Sequence, residues 1–422
     1  MEIINNNLLK AKLGNFVLFL LFFISLQVIY PQNRVNNSPA FPRLTPDSKA
    51  LDFYNLNKGN ENLTWEQLAE ISLWASGDIN ASNLQRIRNA VLQFQNSPDQ
   101  GTSARETAES ILTFMHRNIL RTYTIQQTRV DTIFSNGRFN CVSSSILYII
   151  LCEAMGIKTS GVITKDHAFV IVHIDDENID VETTNRFGFD PGNRREFHDQ
   201  FGRLTGFTYV PAQNYRDRQT INKLELISLI LNNRIAELER RNNFTEAVPL
   251  AVDRAALLLG DLSAAPSDAY LSELIFTNPK NDLTDRLFNY GASLLRSNRE
   301  EDGIRWAVTA SSMYFGIEHW QNFLHSAVNN RITRFIRERK FQDARNFLEE
   351  NKTLLTDANY SHLDIIIQNN LAIDYHNRFA SEWNRRNYSE AERILNEGLA
   401  VFPDNRQLLN DLEIINRHRN NR

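Results

Sequence analysis

Asn136-Gly-Arg-Phe-Asn-Cys141-Val-Ser-Ser-Ser-Ile-Leu-Tyr-Ile-Ile-Leu-Cys152-Glu-Ala-Met-Gly156-Ile157 is followed by Lys165-Asp-His167-Ala-Phe-Val-Ile-Val172 and by Ile179-Asp-Val-Glu182-Thr-Thr-Asn185. These three runs decide the fold of the first half of the chain. Gly137 sits in a polar turn, and behind Cys141 the apolar residues Val142, Ile146, Ile149, Ile150 and Ala154 recur at helical spacing until Gly156. The spacing predicts a helix that Cys141 opens. There, unpaired backbone N–H groups and the positive end of the helix dipole favour an ionised sulfur, the form that acts as a nucleophile.

Two alternating apolar runs follow, Ile157 to Ile163 and His167 to Ile174, with Thr164-Lys165-Asp166 between them as a turn. His167, Phe169, Ile171 and His173 share one face of the second strand. A further strand, Ile179 to Thr184, puts Asp180 and Glu182 two residues apart on one face, so either carboxylate is a candidate to orient His167. In such a constellation the imidazole takes the thiol proton and later protonates a leaving amine, while the carboxylate fixes the ring. Each residue alone has a plainer use, as an apolar filler or a satisfied strand histidine. Their order and the helix-start address of the cysteine favour the functional reading.

From about Glu106 to Gly206 the chain resembles the transglutaminase-like superfamily, in particular its prokaryotic branch. The residues that carry the resemblance are Asn140-Cys141-Val142-Ser143, Gly156-Ile157 and His167-Ala168-Phe169-Val170. It implies a papain-like α+β core with Cys141 as nucleophile and His167 as base. Where the superfamily usually has Asp-Pro-Thr, this chain has Glu182-Thr183-Thr184, and aligning the threonine with Thr184 puts Glu182 at the acidic position, with Asp180 as the alternative.

The remaining sequence sets bounds on this reading. The 422 residues suffice for two or three domains, and 42% hydrophobic with 23% charged residues is a globular composition. A net charge of -4 gives no reason to expect a nucleic-acid partner. No glycine loop for phosphate and no His/Cys/Asp cluster with metal-ligand spacing is present, and thiol acyl chemistry needs no cofactor. The acidic turn Asp175-Asp176-Glu177 reads as a solvated hairpin tip rather than a calcium site. Cys141 and Cys152 on one helix lie about 16 Å apart, too far to pair.

Taken in order, residues 1–30 read as a signal peptide or N-terminal membrane anchor, with Lys10 and Lys12 before the apolar run Phe16 to Ile24. The bulk of the chain is then exported, secreted or held at the periplasmic or extracytoplasmic face of the membrane. Residues 31–60 read as an extended linker, and 61–215 as the transglutaminase-like domain with N-terminal helices, the first capped by Thr64 to Gln67. Phe187, Phe189, Phe197, Phe201 and Phe207 read as pins for a long loop, and Arg194-Arg195 as solvated charge.

From Ile221 helical periodicity takes over. Asn243-Phe-Thr-Glu-Ala247, Lys340-Phe-Gln-Asp-Ala344 and Asn387-Tyr-Ser-Glu-Ala391 resemble the middle of a tetratricopeptide repeat, and the last copy continues through Leu395 and Gly398 to Pro403. A weaker copy has Gly291 and Gly303 at the small-residue positions. The intervals are irregular, so residues 220–422 read as a degenerate solenoid of helix pairs whose concave face takes a protein partner. The expected fold class is α+β, a papain-like core followed by an all-α helical-repeat solenoid. Two functions fit: a thiol enzyme acting on protein or peptide amide bonds by hydrolysis or acyl transfer, or a catalytically inactive scaffold that binds proteins.

Overall fold

The hub of the computed structural model is a helix buried along nearly its whole length, because neighbouring elements cover it. The structure describes residues 40–58, 63–165, 167–192, 218–262, 279–314 and 316–420. The predicted signal or anchor (1–30) and the residues Phe197, Phe201, Phe207, Arg194 and Arg195 lie outside the described residues. Pro42–Arg422 form one compact unit, mostly helical with a small sheet.

The elements in order are α1 (Ser48–Lys58), α2 (Trp65–Ser76), α3 (Ala81–Gln95), α4 (Ala104–Asn118), β1 (Thr122–Tyr123), α5 (Val130–Asn136), β2 (Arg138–Phe139), and the hub α6 (Cys141–Ala154). Then come β3 (Lys158–Ile163), β4 (Ala168–Ile174), β5 (Glu177–Val181) and β6 (Gln219–Ile221). The helices α7 (Lys223–Arg240), α8 (Phe244–Leu259), α9 (Pro279–Arg296), α10 (Glu300–Met313), α11 (Gln321–Arg337), α12 (Phe341–Glu350), α13 (Asp357–Asn384), α14 (Tyr388–Val401) and α15 (Arg406–Asn420) complete the chain. Residues Val142 through Cys152 of α6 are all buried, against β3 and β4 on one side and α2, α4, α5 and α7 around the rest.

The sheet is antiparallel in the order β5-β4-β3-β6. The period-two rule sorts β4 cleanly: Ala168, Val170 and Val172 join the main core, while Phe169 and Ile171 join Val162 in a small cluster on the other face. The third strand is shorter than its sequence suggests. It ends at Val181, and Glu182-Thr183-Thr184-Asn185 leave it as a buried turn closed by Glu182 N–H to Gly188 O at 2.7 Å. Only glycine fits at 188, where a Cβ would stand 2.0 Å from Glu182 O.

Two expectations change at the domain edges. Residues 48–58, read from their Asn- and Pro-rich surroundings as extended linker, form α1 on α8, with Ala50 and Phe53 buried. Asp253 holds this segment by accepting from Asp47 N–H (2.7 Å) and Arg43 (2.7 Å), long-range partners that no local composition reveals. Secondly, β6 adds a fourth strand beside β3, and Leu224, Ile227, Ile230 and Leu231 of α7 belong to the main core. The hydrophobic core therefore continues through the sequence-based boundary between 215 and 220.

Beyond β6 the chain repeats one device four times. The pairs α7/α8, α9/α10, α11/α12 and α13/α14 are each joined by three residues, the second of which is left-handed: Asn242, Asn298, Arg339 and Arg386, with φ of 57°, 57°, 59° and 65°. The next N–H closes back on the first helix, as in Asn243 to Leu238 O (2.9 Å) and Asn387 to Glu382 O (3.0 Å). Ala247, Gly303, Ala344 and Ala391 stand four residues further on, and all are buried. A Cβ at Gly303 would come 2.8 Å from Leu295 Cδ2, which explains the small residue: the two helices touch there. Successive pairs pack one on the next, and α15 covers the last. The irregular intervals arise outside this turn, in the connection that follows α8, the short 3-10 turns Ile317–Trp320 and Lys352–Leu354, and the 28-residue α13.

Candidate active site

Gly137, at φ 70°, stops α5, and Arg138-Phe139 then pair in parallel with Thr122-Tyr123. Asn140 and Ser143 form a reciprocal cap: Ser143 N–H donates to Asn140 Oδ1 and Asn140 N–H donates to Ser143 Oγ, both at 3.0 Å. Asn140 Nδ2 also donates to Ile125 O (2.9 Å) and Ser143 Oγ to Gln127 O (3.0 Å), which pins the loop after β1 against the start of α6. These bonds use the N–H groups of Asn140 and Ser143 and leave that of Cys141 out. Cys141 is thus the first helical residue, half-buried, with a free thiol.

His167 stands one residue ahead of β4, stacked on Phe169 at 6.2 Å. Its Nε2 hydrogen-bonds Glu182 Oε2, which leaves Nδ1 for the hydrogen bond to Cys141. Burial works to lower the basicity of His167, but the Glu182 charge and the hydrogen bonds to Cys141 and Glu182 outweigh it and hold the ring well above the ordinary histidine range. Glu182 is itself fixed by Thr184, whose N–H (3.1 Å) and hydroxyl (2.7 Å) both donate to Oε1. With Oε1 occupied, Oε2 is directed at the imidazole.

The structure therefore brings Cys141, His167 and Glu182 together and leaves Asp180 out. Asp180 lies opposite Ile171 and accepts a fork from Arg218 (2.8 and 2.5 Å), whose guanidinium also covers the Phe169 ring. His173, the other histidine on that face, is held by Ser160 (2.8 Å) and Asn178 (2.6 Å). Glu177 at the hairpin tip pairs with Arg105 at 3.0 Å. Among the described residues there is no group of three or more His, Cys, Asp or Glu able to hold a metal, and no helix is long and apolar enough to cross a membrane.

Sequence reasoning overlooks the layer beneath the three residues. His116 of α4 donates from Nε2 to Thr183 O (3.1 Å) and meets Phe139 edge-on at 5.9 Å. Burial, then the Arg186 charge, push it down to about 4, against the opposing Thr183 bond and Glu182 charge. It is a neutral ring with a fixed tautomer. The Thr183 hydroxyl meets Ser144 (2.8 Å) and Ser145 (3.0 Å) on α6, so the turn that carries Glu182 is tied directly to the helix that carries Cys141. The available signal was the spacing of His116 four residues after Leu112, on the inward stripe of α4.

No protein-family model matches the chain, and no curated protein matches it. Among solved structures it is similar to menin, in a crystal structure described as revealing the binding site for Mixed Lineage Leukemia (MLL) protein. The identity is 11% and the TM-score 0.35, over 73% of this chain and 79% of that one.

Proposed function

We propose that the chain is a transglutaminase-like thiol enzyme that acts on amide bonds of proteins or peptides, with a papain-like core and a tetratricopeptide-like array for a protein partner. One observation carries the catalytic half: His167 hydrogen-bonds both Cys141 and the buried Glu182. In the reaction Nδ1 takes the thiol proton, the sulfur attacks the carbonyl carbon, and the imidazolium, supported by Glu182, then protonates the leaving nitrogen. The Cys141 N–H, outside the cap, is one donor to the oxyanion. Water or an amine releases the acyl group, giving hydrolysis or acyl transfer. The lysines before the N-terminal apolar run support export, with the enzyme secreted or anchored at the extracytoplasmic face.

The test is the pH dependence of iodoacetamide labelling at Cys141 in wild type and in His167→Ala, followed by peptide mass spectrometry. Labelling that persists well below pH 7 and moves toward the ~8.5 midpoint of a free thiol in the variant supports the pair. Free-thiol behaviour in both proteins sinks it. The second reading, a non-catalytic scaffold, is favoured by the four like hairpins, an architecture suited to binding.

A further inference from the structure

A thiol acyl transfer needs two donors where negative charge develops on the substrate oxygen, and the Cys141 N–H supplies one. The neighbouring strand pair offers a second. β1 and β2 run parallel, with Tyr123 opposite Phe139 and Thr124 N–H donating to Phe139 O at 2.8 Å. The Tyr123 ring meets Phe139 edge-on at 5.9 Å, and both Tyr123 and Cys141 are partly buried against the main core. Phe139, two residues before the nucleophile, thus meets both the His116 and the Tyr123 rings edge-on. Two polar side chains beside it are already engaged, His116 by Thr183 and Glu182 by His167 and Thr184. The Tyr123 hydroxyl makes no hydrogen bond to a described residue.

We propose that the Tyr123 hydroxyl is the second oxyanion donor of the Cys141 site. The assignment rests on Cys141 being the nucleophile. When the sulfur forms its bond to the carbonyl carbon, the C=O π pair moves onto oxygen, and that oxygen accepts from Tyr123 Oη–H and from Cys141 N–H. Collapse returns the pair to the carbonyl and expels the leaving group. A donor must keep its proton, and Tyr123 does: burial, then the Cys141 and Glu182 charges, hold the phenol far on the protonated side. Both charges reach the phenol, so Tyr123 lies within electrostatic range of Cys141 and Glu182.

Two reactions of the same sulfur separate this role from a structural one. Alkylation by iodoacetamide forms no oxyanion, whereas acylation by p-nitrophenyl acetate does, and its nitrophenolate burst is easily followed. In the 422-residue chain, Tyr123→Phe is expected to slow the Cys141-dependent burst by about tenfold to a hundredfold while alkylation keeps its wild-type rate. An unchanged burst, or burst and alkylation falling together, overturns the assignment of Tyr123 and leaves Cys141 as nucleophile. A wild-type chain whose burst survives Cys141→Ala, or shows none, overturns the nucleophile and Tyr123 with it.

Discussion

The two ends of α6 carry the same side chain in opposite surroundings. Cys141 opens the helix half-exposed, hydrogen-bonded to His167. Cys152 sits fully buried in its last turn, where desolvation drives its thiol far up despite the Tyr148 hydroxyl beside it. The sulfur is common to both, so the difference lies in helix position and neighbours: free N–H groups and an imidazole at one end, apolar packing at the other. The largest expected effect follows at once. At pH 7 iodoacetamide should label Cys141 at least about a thousandfold faster than Cys152, which reacts only when its surroundings open. Comparable rates by peptide mass spectrometry would erase the contrast.

The second prediction concerns the titrating histidine layer at the Cys141 end. His116 is lowered to about 4 from 6.5, so the folded state prefers its neutral form. That preference contributes stability in full above pH 6.5 and loses it as pH falls toward 4, about 3 kcal/mol in all. Arg186 and Glu182 act on the ring from the adjoining turn with opposite signs. His116→Gln keeps a donor for Thr183 O and cannot titrate. Urea unfolding at pH 7 and pH 4.5 should therefore show a smaller acid loss in the variant, and an equal loss in both would remove His116 from the account. His167 has the other sign, since its raised basicity adds stability below pH 6.5 that is lost as pH rises through its folded value.

How much of this was legible depends on how local the cause is. The start of α6 was readable because the Gly137 turn and the apolar spacing behind Cys141 are local, and the β3–β4 hairpin because alternation needs no partner to be seen. Glu182 could be proposed from its place after β4. Its separation from Asp180 could not be decided, because Arg218 claims Asp180 from 38 residues away. The same holds for α1, which Asp253 fastens from over 200 residues away, and for β6, whose three residues are too few to show a period. In the second half the small residues and the turn between helices were legible, while the variable connections hid the regularity of the turn itself.

Glu182→Gln sharpens the comparison by altering one charge at the Cys141 end. The amide still accepts from Thr184 and meets His167, but the charge that does most to raise the imidazole is gone. The labelling rate of Cys141 near pH 6 should fall about tenfold, with the midpoint following His167 downward in basicity. An unaltered profile would mean that Glu182 only packs.

The smallest effect belongs to the inert end. Cys152→Ala removes one sulfur from a fully buried site, and its hydrogen-bonding neighbour Tyr148 keeps a partner, since the Tyr148 hydroxyl donates to Ala108 O at 2.9 Å. A small cavity of this kind costs about 1 kcal/mol, which a shift of the urea midpoint would report. The variant should leave the Cys141 labelling profile superimposable on that of wild type, because nothing at the helix start touches Cys152. If instead the profile moved with Cys152, the two ends would be coupled through the body of α6, and the reactivity of Cys141 would have to be explained by the packing of the whole helix rather than by its first turn and His167.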